Sequence, residues 1–135
     1  MVGGAGANTF GMTNGAVAFG GPNGPDTYNT GAGSTLVVEG AGRSQINVGT
    51  GLTTDFAGTG VDTYTITRGN LGIADIVGFK AGDRIALAGG FTAGDASAAV
   101  STATTGAFGT TLNLSDGTRV TLFGATITAS QIGAG

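Results

Sequence analysis

Cysteine, histidine and tryptophan are all absent from this 135-residue chain. Without cysteine there is no disulfide, no thiolate metal site and no cysteine nucleophile. Without histidine, the commonest general base, zinc ligand and physiological pH switch is missing. Neither an H-E-x-x-H nor a G-x-S-x-G segment occurs, so the chain is expected not to be an enzyme. Charge is scarce too: 5 Lys and Arg and 8 Asp and Glu make up 10% of the chain, with a net charge of −3. Scattered basic residues of that number leave no footprint for nucleic acid. No apolar run approaches the ~18 residues of a membrane span. The first thirty residues also lack the basic start and apolar run of a cleaved leader, so an N-terminal leader of that kind is not expected.

What the chain has in excess is glycine, 29 residues, beside a hydrophobic content of 40%. That hydrophobic share excludes a disordered polyelectrolyte, and the length is that of one domain. The glycines are periodic. Gly6, Gly15, Gly24, Gly33, Gly42, Gly51, Gly60, Gly69 and Gly78 follow one another at nine-residue intervals. A short fixed period marks units that cannot bury an apolar face alone and must stack on their neighbours. Four positions after the anchoring glycine stands a large apolar residue: Phe10, Phe19, Tyr28, Val37, Ile46, Tyr64 and Ile73. Asp55 interrupts that column, and Phe56 beside it suggests a local shift of register. The period therefore predicts glycine-rich turns, each followed by a short strand that sends one large side chain inward.

Gly3-Gly4-Ala5-Gly6-Ala7-Asn8-Thr9-Phe10 and Gly60-Val61-Asp62-Thr63-Tyr64 resemble the glycine- and aspartate-rich nonapeptides of the repeats-in-toxin (RTX) family. The resemblance covers roughly residues 3–80. It implies an all-β, right-handed parallel β-roll with two repeats per coil and calcium held in the turns by aspartates. Turns on one edge of such a roll lie eighteen residues apart. The aspartate position on one edge reads Asn8, Asp26, Ser44 and Asp62, all small oxygen-bearing residues; on the other it reads Val17, Thr35, Thr53 and Leu71, with no carboxylate. Calcium takes six to eight oxygens, so the second edge is closed to metal. The first is the candidate for weak, structural calcium sites, with Asx caps of tight turns as the plain alternative. Because one edge has lost its ligands, the roll is expected to be largely folded without metal.

The outward columns divide in the same way. On the sheet of Phe10, Tyr28, Ile46 and Tyr64 they hold Thr9 and Gly11, Thr27 and Asn29, Gln45 and Asn47, and Thr63 and Thr65, a small polar face. On the opposite sheet they are expected to hold Ala18 and Gly20, Leu36 and Val38, Thr54 and Phe56, and Gly72 and Ala74. Leu36, Val38 and Phe56 then form an apolar patch of the kind that marks a covered surface, covered either by the C-terminal half of the chain or by another subunit.

From about residue 70 the period fades. Residues 75–87 alternate apolar and polar around a Gly82-Asp83 turn, and Ser115-Asp116-Gly117 reads as a hairpin between residues 110–114 and 118–123. Residues 92–105 are open between a short helix and a loop. The segments 75–87, 111–123 and 125–132 resemble, in order and spacing, the region that closes RTX proteins exported by type I secretion, which implies an uncleaved C-terminal export signal. The expected organisation is thus a degenerate nonapeptide β-roll over residues 1–80 and a C-terminal β cap with the secretion signal over residues 81–135.

Together these features lead to the expectation of a secreted or cell-surface structural protein that associates with copies of itself and engages the type I secretion machinery. An adhesive or ice-binding module is a second reading, using the polar face of Thr9, Thr27, Asn29, Asn47, Thr63 and Thr65. A third is the export and calcium-folding tail of a larger secreted protein.

Overall fold

The glycine-rich turns do alternate with short strands. In the computed structural model, which describes residues 1–134, nine strands precede the C-terminal segment. They are β1 (Asn8–Met12), β2 (Val17–Phe19), β3 (Asp26–Thr30), β4 (Ser34–Val38), β5 (Ser44–Val48), β6 (Leu52–Phe56), β7 (Asp62–Thr67), β8 (Ile73–Val77) and β9 (Arg84–Ala88). The odd-numbered strands stack in parallel in one sheet, here sheet I, and β2, β4, β6 and β8 stack in parallel in the other, sheet II. The architecture is a parallel β-solenoid of two facing sheets.

Glycine is needed in the turns for two separate reasons. Gly24 has φ +92°, a backbone region that L side chains rarely adopt. Gly40 has no such conformation, but a Cβ there would collide with the carbonyl of Gly21 in the coil beneath. The first is a local demand; the second comes from stacking.

In sheet I the register follows the eighteen-residue step: Asn8 pairs with Asp26, Asp26 with Ser44, and Ser44 with Asp62. Phe10, Tyr28, Ile46 and Tyr64 stack inward as expected, with the Phe10 and Tyr28 rings parallel at 5.0 Å. Sheet II departs from the period twice. Val17 pairs with Leu36 rather than Thr35, and Leu52 pairs with Ile73, three residues beyond the regular step. The same three-residue extension separates β7 from β9, where Thr63 pairs with Arg84.

A one-residue slip moves every side chain to the other face, and this corrects several sequence expectations. Phe19 and Ile73 face outward, while Ala18 and Ala74 point into the core. Asp55 does not mark a shift of register: it pairs with Val37, occupies the inward column and is 0% exposed, with Phe56 outward beside it. The expected second edge also breaks up. Thr35 and Thr53 pair and are buried, but Leu71 lies 58% exposed in the inserted turn at φ +56°.

The C-terminal segment continues both sheets. Residues 92–105 resolve mainly into helix α1 (Ala93–Ser101), opened by a capping box between Thr92 and Asp95. It leads to β10 (Thr104–Gly106), β11 (Gly109–Asn113) and β12 (Arg119–Phe123). The hairpin read at Ser115-Asp116-Gly117 joins β11 to β12, with Gly117 at φ +97°. β12 then lies parallel to β8, so the hairpin extends sheet II. A short 3-10 turn at Ala129–Gln131 precedes β13 (Ile132–Ala134), which lies parallel to β9 and extends sheet I. One apolar core runs from Phe10 and Met12 through Ile46, Ile66 and Ile85 to Leu112, Leu122 and Ile132. Helix α1 packs over this far end, against β11 and β13.

Candidate functional site: the acid column and the two outer faces

The edge expected to carry calcium is a continuous column of inward-facing polar residues. Asn8, Asp26, Ser44 and Asp62 follow one another across β1, β3, β5 and β7. Asp83, just before β9, extends the column: the Asp62 backbone N–H donates to Asp83 Oδ1 at 3.0 Å. Asp26, Asp62 and Asp83 are at most 3% exposed. Their oxygens bind the coil before. Asp26 Oδ1 accepts from the Asn8 backbone N–H and from Asn8 Nδ2 at 3.0 and 2.8 Å, and Asp26 Oδ2 from the Gly21 N–H at 3.0 Å. Asp62 Oδ1 accepts from the Ser44 N–H at 3.1 Å.

At the last two rungs an ammonium joins the backbone donors. Lys80 Nζ lies 3.3 Å from Asp62 Oδ2 and 3.2 Å from Asp83 Oδ1, and donates to the Gly58 carbonyl at 3.0 Å. Burial, which would lower the Lys80 pKa, is outweighed by these two carboxylates, and the ammonium is held above its usual range. Burial and the neighbouring Glu39 carboxyl push Asp62 up to about 7, against the pull of Lys80. The carboxylate oxygens of Asp26, Asp62 and Asp83 are thus each engaged by protein donors, one of them the Lys80 ammonium. Among the described residues no group of three or more acidic side chains is arranged to hold a metal ion. Sequence reading missed Asp83 and Lys80 because the three-residue extension carries them out of the nine-residue phase.

Beside this column, in the middle coils, lies a second acidic group that periodicity did not single out. Asp55 projects inward from β6 and Glu39 follows β4. Tyr64 Oη donates to Asp55 Oδ2 at 2.6 Å and lies 3.3 Å from Glu39 Oε1. Burial raises both carboxyls, Glu39 to about 8 and Asp55 to about 6.

The outer face of sheet I has the expected composition. Thr9 pairs with Thr27, Thr27 with Gln45, and Gln45 with Thr63, while Asn29 pairs with Asn47 and Asn47 with Thr65. Its amides are bonded to each other: Asn47 Nδ2 donates to Asn29 Oδ1 at 2.7 Å, and Gln45 Nε2 to Asn47 Oδ1 at 3.2 Å.

The outer face of sheet II carries Leu36, Val38 and Phe56, as expected, within a larger apolar surface. Phe19 pairs with Val38, Val38 with Phe56, Phe56 with Val77, and Val77 with Phe123; Val2 bridges to Phe19. Valine and phenylalanine therefore alternate across six successive rungs, with Phe19 and Phe56 each 46% exposed. Val17 and Leu36, then Leu52 and Ile73, flank this ladder in the adjacent rows. The C-terminal segment does not cover the face; through β12 it lengthens it by one phenylalanine.

A groove of about 510 Å³ between the Phe79–Gly82 turn and residues 124–131 is open to solvent, and Lys80, the cation in its wall, is engaged by Asp62 and Asp83. The fold thus places the chain in the class of parallel β-solenoids. No protein-family model and no curated protein matches its sequence.

Proposed function

We propose that this chain is a secreted, non-enzymatic structural protein, an RTX-like β-roll that associates with copies of itself at or outside the cell surface. The observation that carries this reading is the Val2–Phe19–Val38–Phe56–Val77–Phe123 ladder. At ~4.8 Å per strand and ~3.3 Å per residue, the face of sheet II measures roughly 24 by 17 Å, on the order of 400 Å². An apolar ladder across a face of that size is comparable with the largest patch of a typical monomer, which is often functional, and the face is about half of the ~800 Å² per partner in a standard interface. A single contact through it is weak, which suits an assembly built from many copies. Only Asp75 and Arg119, of opposite sign, bring charge to its rows, so like-charge repulsion does not oppose the approach of a second copy.

Export by type I secretion rests on the resemblance of residues 75–87, 111–123 and 125–132. The bonding of Asp26, Asp62 and Asp83 to protein donors supports a roll that folds without calcium. The polar face of sheet I is the weaker candidate for a binding surface, because its amides already pair with one another.

Sedimentation velocity from low to high micromolar concentration, with calcium and with chelator, tests the reading. Reversible association in both conditions, lost in Phe56→Asp, is the expected outcome. A strict monomer throughout would overturn it.

A further inference from the structure

The Glu39–Asp55–Tyr64 group has too few protons for its oxygens if both carboxyls are ionised. Asp55 is 0% exposed, and Tyr64 Oη carries a single proton, which it gives to Asp55 Oδ2 at 2.6 Å. Among the described residues, Asp55 Oδ1, Glu39 Oε2 and the Tyr28 hydroxyl have no hydrogen-bond partner. Lys80 binds Asp62, Asp83 and the Gly58 carbonyl, and makes no hydrogen bond to Glu39 or Asp55. The remaining titratable groups facing the pair are acidic or phenolic: Asp62, which contacts Glu39, and Tyr64 from β7, Tyr28 from β3, and Asp83 before β9. A buried and a half-buried carboxylate, both against Tyr64 and without a cation, repel each other where solvent screens them poorly, and unpaired shielded acceptors add a desolvation penalty.

We propose that Glu39 and Asp55 hold one proton between them inside the roll, and that this proton is a latch on its middle coils. With the proton present, one carboxyl is a donor and the pair bridges β6 to the turn after β4. When it leaves to solvent, two like charges face each other beside Tyr64, and the coils loosen.

The direction of the pH dependence follows. In the unfolded chain these carboxyls titrate near 4; in the fold burial raises Glu39 to about 8 and Asp55 to about 6, and burial with Glu39 raises the adjoining Asp62 to about 7. The folded state therefore binds the proton more tightly. Its contribution is complete below the unfolded values and is lost as pH rises through about 8. The protein is then more stable in mild acid than in mild alkali, and its middle coils loosen as pH rises.

Thermal unfolding of the full chain between pH 5 and pH 9 tests the latch. The expected melting temperature falls on the order of 10 °C across that range. Glu39→Gln, whose amide supplies the missing donor at every pH, is expected to keep the pH 5 value and lose about a third or more of the fall, the remainder belonging to Asp55 and Asp62. Infrared difference spectra of the unaltered protein at pH 7 give an independent readout, a protonated-carboxyl band that Glu39→Gln and Asp55→Asn each remove or shift. A flat pH profile in the unaltered chain, a full fall retained in Glu39→Gln, or no protonated-carboxyl band would each overturn the proposal.

Discussion

The two outer faces are built from the same coils and differ in almost every chemical respect. On sheet I, Asn29, Asn47 and Gln45 bond to one another and threonines fill the rows beside them. On sheet II, valine and phenylalanine alternate over six rungs, with Phe19, Phe56 and Phe123 exposed and no element among the described residues laid over them. The first face is complete within one molecule. The second holds apolar area that only another surface can bury. A solenoid repeats its backbone faithfully while leaving each outward column free to vary, so one scaffold carries a finished face and an unfinished one.

The contrast is broken most directly at its centre. Phe56→Asp puts a charge in the middle of the apolar ladder and is expected to weaken self-association by at least 30-fold, about 2 kcal/mol or more. Asn47→Asp, its counterpart on sheet I, is expected to change association less than threefold. Sedimentation equilibrium on both variants checks the difference, and equal effects would refute the assignment of the interface to sheet II.

The next effect lies on the acid edge. Lys80→Met leaves Asp62 and Asp83 buried without their cation. Full loss of a buried ion pair costs 3–5 kcal/mol; because Lys80 is itself about a third exposed (34%), the expected loss is about 2 kcal/mol. Urea unfolding measures it. Thr53→Val, which removes the 2.7 Å hydroxyl contact with Thr30, is expected to cost about 1 kcal/mol.

A smaller effect, of opposite sign, belongs to the inserted turn. Leu71 is the non-glycine residue at positive φ among the described residues. Leu71→Gly relieves a conformation that costs roughly 1–2 kcal/mol but makes the unfolded chain more flexible. A net gain of about 0.5–1 kcal/mol is expected in the same urea assay. The smallest effect is that of calcium. Millimolar calcium against chelator is expected to move the melting temperature by no more than about 2 °C; a large rise would show a site that binds the folded state.

Sequence periodicity revealed the two-sheet stack, the eighteen-residue register of sheet I and the outward position of Leu36, Val38 and Phe56. It failed where the chain leaves its phase. The slip at Val17 turned Phe19 outward, and the three-residue extension before Ile73 did the same for Ile73 and Val77. Phe123 joins the ladder through a pairing with β8 that is remote in sequence, which no short period encodes. Asp83 and Lys80 were hidden by a matching extension before β9. Asp55 was visible as an anomaly, but its partner Glu39 was not, because the two meet only when successive coils are stacked.

The pairing of Ile73 with Arg119, across helix α1 and the β11–β12 hairpin, also bears on the order of folding. Neighbouring coils close loops of about twenty residues, as between Asn8 and Asp26 or Thr63 and Arg84. The β8–β12 contact closes a loop more than twice as long, and its entropic penalty is correspondingly higher. The coils can therefore zip to one another before that long loop shuts, leaving the Leu112–Leu122 end of the core exposed until late in folding. Conservative truncations such as Leu122→Ala should then speed unfolding while barely slowing refolding, whereas Ile46→Val, deep among the early coils, should slow refolding itself.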